Sequence, residues 1–123
     1  MTAMKDKGML GELFAKEQLV REGYQIIAQN YFTRYGEIDL IVQKGETLVF
    51  VEVKTRSKSG WDRPADAVNK RKQQKICLAA QQYLQENPSD CWIRFDVFEV
   101  ITRSVEGFVV EEHCHIKEAF IPS

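Results

Sequence analysis

The sequence predicts a mixed α/β fold: a central β-sheet flanked by helices, in the order α-β-β-β-α-β-β. Three observations lead there. Apolar residues recur at helical spacing in two segments of about twenty residues. Between them lie strand-like segments joined by short loops, two of them containing glycine. The second helical segment also separates two strands, the pattern of a crossover connection.

Residues 5–22 read as the first helix, with Leu10, Leu13, Phe14, Glu17 and Val20 at helical intervals and Gly23 to end it. Residues 24–32 carry Ile26 and Ile27 among polar neighbours and read as a strand. Residues 37–43 and 47–55 are clearer strands, separated by Lys44-Gly45-Glu46. Glycine in the first position of a two-residue loop suits a type II′ turn, which requires positive φ there. Strands joined this way form an antiparallel meander. After a polar loop, 56–63, Pro64 suits the first turn of a helix running to about residue 85, with Val68, Lys72, Ile76, Ala79, Ala80 and Tyr83 along one side. Asn87-Pro88-Ser89-Asp90 breaks it. Residues 92–101 alternate as a strand, and 107–115 are expected to hairpin back on it. The crossover between the third and fourth strands should be parallel and right-handed.

A chain of 123 residues supports one core, so residues 1–123 are expected to form a single domain. With 44% hydrophobic residues and 13 aromatics it can bury that core and is not a disordered segment. No apolar run approaches the ~20 residues that span a bilayer. The first eight residues lack the hydrophobic stretch of a secretory signal, and Cys77, Cys91 and Cys114 are an odd number at wide spacings, which argues against a disulfide framework. The expectation is a cytoplasmic protein with no membrane partner. The net charge of −1 conceals an uneven distribution. Residues 54–75 hold eight basic side chains against Asp62 and Asp66, so that segment is +6 and the rest of the chain −7. A near-neutral total therefore leaves room for a polyanionic partner on one stretch of chain.

Alternation along the strands assigns faces. Ile38, Leu40 and Val42 fall on one face of the second strand, and Glu37, Asp39 and Ile41 on the other; in the third, Val49, Val51 and Val53 oppose Phe50, Glu52 and Lys54. The valine and leucine rows are expected to take the core, which collects Glu37, Asp39, Glu52 and Lys54 on the opposite face. The two-residue turn pairs Lys44 with Thr47 and, counting outward, Ile41 with Phe50, Asp39 with Glu52 and Glu37 with Lys54. Directly opposed side chains have Cβ atoms about 5 Å apart. Two carboxylates that close repel unless a proton or cation lies between them. A lone Glu-x-Lys on a strand would be an ordinary solvated face. An aspartate set across from its glutamate points instead to a hard divalent cation.

These residues resemble a known family. Asp39, followed after twelve residues by Glu52-Val53-Lys54, resembles the Asp…(Asp/Glu)-x-Lys signature of the restriction-endonuclease-like PD-(D/E)xK nucleases. With Gly11-Glu12, Gly36-Glu37-Ile38-Asp39-Leu40, Phe50-Val51-Glu52-Val53-Lys54-Thr55-Arg56 and Arg94-Phe95-Asp96, the chain resembles the YraN-like family of small bacterial proteins, related to archaeal Holliday-junction resolvases. The likeness extends from residue 8 to about 120. It departs from the wider pattern in having Tyr35-Gly36-Glu37-Ile38 before Asp39, where many such nucleases carry proline, and Ala79 four residues before Tyr83, where a RecB-like helix carries glutamine.

The resemblance implies a restriction-endonuclease-like fold and a nuclease dependent on Mg²⁺ or Mn²⁺. Asp39 and Glu52 would be the main ligands, helped by the main-chain carbonyl of Val53. Lys54 would stand near the attacking water and the scissile phosphate. Glu12 would complete the site from its helix; Glu37 would pair with Lys54 and orient it, or simply follow the glycine turn. The implied substrate is DNA, branched or otherwise structured, and cutting both strands would call for a homodimer. Arg56, Lys58, Lys70, Arg71, Lys72 and Lys75 are the expected phosphate contacts beside the site. The competing reading from another class is a non-catalytic nucleic-acid-binding module that keeps the fold; an adaptor without nucleic acid is disfavoured by the +6 segment. Trp61 reads as sealing the core edge rather than stacking on a base. His113 and His115, on one strand face, lack two further ligands nearby for a zinc site.

Overall fold

The computed structural model describes residues 7–58, 68–103 and 107–122. In chain order the elements are α1 (Lys7–Arg21), β1 (Gln25–Thr33), β2 (Gly36–Lys44), β3 (Thr47–Ser57), α2 (Lys70–Glu86), β4 (Trp92–Thr102) and β5 (Val110–Ile116). The predicted order is the observed one. The strands form one five-stranded sheet in sequential order, antiparallel except for the parallel β3–β4 pair, whose register runs from Thr47↔Trp92 to Ser57↔Thr102. This mixed sheet with flanking helices is the architecture expected of a restriction-endonuclease-like fold. Among the described residues no helix is long and apolar enough to cross a membrane.

The sheet is buried on both faces. On one face Ile41, Leu48, Phe50, Phe95 and Val97 pack against Ile76, Ala79, Ala80 and Tyr83 of α2. On the other face Leu40, Val42, Val49, Val51, Phe98 and Val100 pack against Ala15 and Leu19 of α1. Each large side chain so buried contributes roughly 1.5–3 kcal/mol. The expectation of an open charged face opposite the valine rows is therefore corrected, because Ile41 and Phe50 share that face and need a cover, which α2 supplies. Ile38 also departs from strict alternation. It packs with Ile41 and Phe50 rather than with Leu40 and Val42, so β2 changes face around Asp39.

Two helices differ in detail from the reading of their spacing. In α1 the buried residues are Gly11, Ala15 and Leu19, while Leu13 and Val20 are exposed. Small residues face the sheet because the helix approaches β3 closely: a Cβ on Gly11 would lie 1.8 Å from Thr55 Oγ1. Helix α2 begins at Lys70 rather than at Pro64, which lies outside the described residues. Asn69 caps it, its side chain accepting the Lys72 N–H at 2.9 Å.

A buried polar network ties β4 to its neighbours. Asp96 is fully buried and accepts from Arg94 Nε and Nη2, both at 2.9 Å, and from the Glu118 amide at 3.0 Å. His115 Nε2 stands 2.6 Å from the same carboxylate, and Arg94 also donates to the Tyr24 hydroxyl at 2.7 Å. Burial opposes the charge on Asp96, but His115, Arg94 and the Glu118 amide outweigh it and hold the group below the ordinary carboxylate range.

Candidate metal centre and nucleic-acid surface

The β2–β3 hairpin sets the site. Gly45 takes φ +59 while Glu46 is not among the positive-φ residues, as a type II′ turn requires, and the register runs from Lys44↔Thr47 to Leu40↔Val51. There the ladder stops. The next pairs in that register, Asp39 with Glu52 and Glu37 with Lys54, lie beyond it. In place of a ladder bond, Asp39 Oδ2 accepts the Val53 N–H at 2.8 Å. The N–H and C=O of one strand residue point to the same edge, so the Val53 carbonyl also faces the opening between β2 and β3.

On the other side of β2, Asn30 within β1 takes φ +49, a left-handed conformation that asparagine tolerates better than most residues. Its Nδ2 donates to Glu12 Oε1 at 2.7 Å and to Glu37 Oε1 at 2.6 Å. One amide thereby joins α1 to β2. Carboxylate oxygens of Glu12, Glu37 and Asp39 lie within 4.8 Å of one another. Burial and the charge of Glu52 raise the Asp39 pKa to about 8; the Val53 N–H opposes this, and Glu12 and Glu37 add to it. An all-oxygen carboxylate set of this kind suits a hard cation such as Mg²⁺ or Mn²⁺, so the residues present fit the metal that the motif implies.

The site residues are thus distributed differently from the simple strand count. Glu12, Glu37 and Asp39 come together. Glu52 is buried beside Asp39, but its carboxylate is engaged by Lys72 Nζ of α2 at 2.5 Å. Burial opposes the Lys72 charge, yet Glu52, Asp39 and Glu37 outweigh it and raise its pKa. Lys54 is half-buried and forms no ion pair among the described residues. The expected Glu37–Lys54 pair is replaced by the Glu37–Asn30 bond. Sequence reasoning missed Asn30, whose only signal was an αL-tolerant residue inside an otherwise ordinary strand, and the pairing of Lys72 with Glu52, since Lys72 was expected to contact phosphate.

The basic stretch also divides. Arg56 is mostly buried with Nε 3.9 Å from Glu99, itself inside the protein. Lys58 lies 3.1 Å from Glu111 and 3.9 Å from Glu112. With Lys72 on Glu52, these three cations already have partners within the fold. Lys70, Arg71 and Lys75 are exposed on α2 and form no ion pair among the described residues. Trp61 and Arg63 lie outside the described residues. His113 stacks on Phe98 at 5.7 Å and meets Phe14 edge-on at 5.2 Å, and His115 serves the Asp96 network.

A sequence profile of "Uncharacterised protein family UPF0102" matches residues 11–100, the span from Gly11 on α1 through the carboxylate site to β4. The chain belongs to the UPF0102 family. UPF0102 proteins similar to it include one from Chlorobium chlorochromatii, 44% identical over 92% of this chain and 89% of the relative, and one from Alkaliphilus oremlandii, 48% identical over 78% and 85%. A third, from Chlorobaculum tepidum, is 41% identical over 98% of this chain and 96% of its own length. These are the YraN-like proteins that the motifs resemble, and the UPF0102 profile covers Glu12, Glu37, Asp39, Glu52 and Lys54 alike.

Proposed function

We propose that this UPF0102 protein is a metal-dependent nuclease that hydrolyses phosphodiester bonds in nucleic acid, with DNA the favoured substrate. The observation that carries the reading is Asp39: a half-buried carboxylate whose oxygens lie within 4.8 Å of those of Glu12 and Glu37, with Glu52 beside it, pushed up to about 8 by burial and by that crowding. Such crowding opposes folding unless a proton or cation relieves it, and perturbed acids of this kind gather at functional sites.

Asp39 and Glu12, with the Val53 carbonyl at the open edge, would hold Mg²⁺ or Mn²⁺; Glu52 would join them when Lys72 releases it. The bound cation supplies positive charge that polarises the phosphate and eases deprotonation of water. Asn30 fixes Glu12 and Glu37 at set positions without neutralising either. Lys54, uncommitted to any carboxylate among the described residues, is free to neutralise charge developing on the phosphate.

One observation favours a second reading. Lys72 occupies Glu52, as expected of a module that keeps the fold and binds nucleic acid without cutting it. The experiment that separates the two is a cleavage panel of linear, nicked, flapped and four-way DNA together with RNA, in Mg²⁺, in Mn²⁺ and in EDTA. A nuclease cuts at least one member only with divalent cation. Binding without cleavage of any member supports the module.

A further inference from the structure

We infer that the cleft between the β1–β2 hairpin tip and α2 seats an unpaired base of a nucleic-acid strand; this deepens the reading of the site as a nucleic-acid centre and rests on it. The cleft is lined by Arg34 and Tyr35 from the hairpin and by Leu78, Gln81, Gln82 and Gln85 from α2. The Arg34 guanidinium lies over the Tyr35 ring, 4.9 Å from its centroid, and donates to its hydroxyl at 2.7 Å, which leaves the other ring face for stacking. The Tyr35 amide is anchored in turn by Thr33 Oγ1 at 3.0 Å. An aromatic plate, one apolar side chain and three glutamine amides offer a stacking surface together with donors and acceptors for a base edge.

The charges point the same way. Arg71, Lys75, Leu78, Gln82 and Gln85 follow one another at helical spacing and share one stripe of α2, leading from the exposed cations at its start into the cleft. Neither Arg71, Lys75 nor Arg34 forms an ion pair among the described residues, in contrast to Arg56, Lys58 and Lys72. The anion-seeking surface therefore runs along α2 to the hairpin tip rather than through the whole basic stretch. Tyr35 lies in the β1–β2 turn, two residues before Glu37 of β2. A base held on Tyr35 would place its strand at the end of β2 that carries Glu37. Duplex bases are stacked on each other and cannot enter such a cleft, so the substrate class is a strand with unpaired nucleotides: single-stranded, flapped or at a branch.

The test is anisotropy of a labelled oligodeoxythymidine and of a blunt two-strand duplex of equal length, in EDTA, with wild type, Tyr35→Ala, Tyr35→Phe and Arg71→Ala/Lys75→Ala. Tyr35→Ala should weaken strand binding roughly 5- to 150-fold and leave the duplex unchanged, and Tyr35→Phe should hold wild-type affinity to within a few-fold. The double variant should lower the slope of log K against log salt by ~0.7 for each phosphate that is no longer neutralised. Wild type that binds the strand no better than the duplex, or Tyr35→Ala that binds it as wild type does, overturns the proposal. So does a change in self-association on Tyr35→Ala without a change in strand affinity. Tyr35-dependent strand binding without cleavage in any divalent cation leaves this proposal standing and removes the nuclease. Cleavage in which Tyr35→Ala keeps wild-type strand affinity does the reverse.

Discussion

Asp39→Asn should make the metal-free protein more stable, and increasingly so as pH rises. In the folded state Asp39 titrates at about 8, displaced from an ordinary 3.8 by burial and then by Glu52, with Glu12 and Glu37 adding to the repulsion. Between those two values the native chain keeps a proton that the unfolded chain has given up. Stability in EDTA therefore falls with pH from about 4 to 8 and levels off above, the opposite of a salt-bridged carboxylate. At about 1.4 kcal/mol per tenfold change in proton affinity, the ceiling on this loss is about 5–6 kcal/mol. Water reaching a half-buried group and shared titration with Glu52 reduce it to an expected 1–3 kcal/mol. Asparagine retains an oxygen to accept the Val53 N–H and cannot ionise, so the variant loses the cost and keeps the bond. Glu99, raised chiefly by its burial, and Asp96, lowered, contribute their own pH dependence. Both are common to the two proteins and cancel in the difference. The assay is urea unfolding in EDTA at intervals from pH 5 to 9. Parallel profiles for wild type and Asp39→Asn would refute the reasoning, because no proton would then be linked to folding at residue 39.

Four further outcomes follow from the same geometry. Asp39→Ala, Glu52→Ala and Lys54→Ala should each abolish or severely reduce divalent-dependent cleavage, while strand binding in EDTA survives; this is read from initial rates and anisotropy on the same preparations. Lys72→Met leaves buried Glu52 without its cation and should destabilise the EDTA form by about 1–3 kcal/mol, yet enlarge the rise in Tm produced by MnCl₂ over matched NaCl. Gly11→Ala should cost about 1–3 kcal/mol through the clash with Thr55 Oγ1, and Thr55→Ala in the same chain should restore much of it, as denaturant midpoints would report. Asp96→Ala strands Arg94 inside the fold and should cost about 3–5 kcal/mol, seen as loss of the cooperative transition at moderate urea.

The elements were legible because their signals are local. The type II′ turn at Gly45 fixed the β2–β3 register as far as Leu40 and Val51, and the helix between β3 and β4 forced a parallel pair. Within the expected apolar line, Ile76, Ala79, Ala80 and Tyr83 proved to be the buried face of α2. For α1 the same counting failed, since the helix approaches β3 through Gly11 and Ala15, and small residues carry little weight in a hydrophobic pattern. The site was legible in part for a related reason. Period-two alternation placed Asp39 and Glu52 near each other but could not foresee that β2 changes face at Asp39, or that Asn30 adopts positive φ on β1. Both are departures from regular geometry, and both gather carboxylates that regular strands would have kept apart. Which cations stayed free was also beyond reach, because the partners of Arg56 and Lys58, Glu99 on β4 and Glu111 and Glu112 on β5, are distant in sequence.

The chemistry proposed for this fold requires a divalent cation at Asp39, and calorimetric titration of MnCl₂ into the metal-free protein tests that requirement directly. Wild type should bind saturably, with affinity rising as pH is raised toward about 8, because the Asp39 proton must leave before the cation enters. Asp39→Ala should lose that binding and its pH dependence together. Equal heats from wild type and Asp39→Ala, or no saturable heat from wild type at pH 8, would contradict the metal centre.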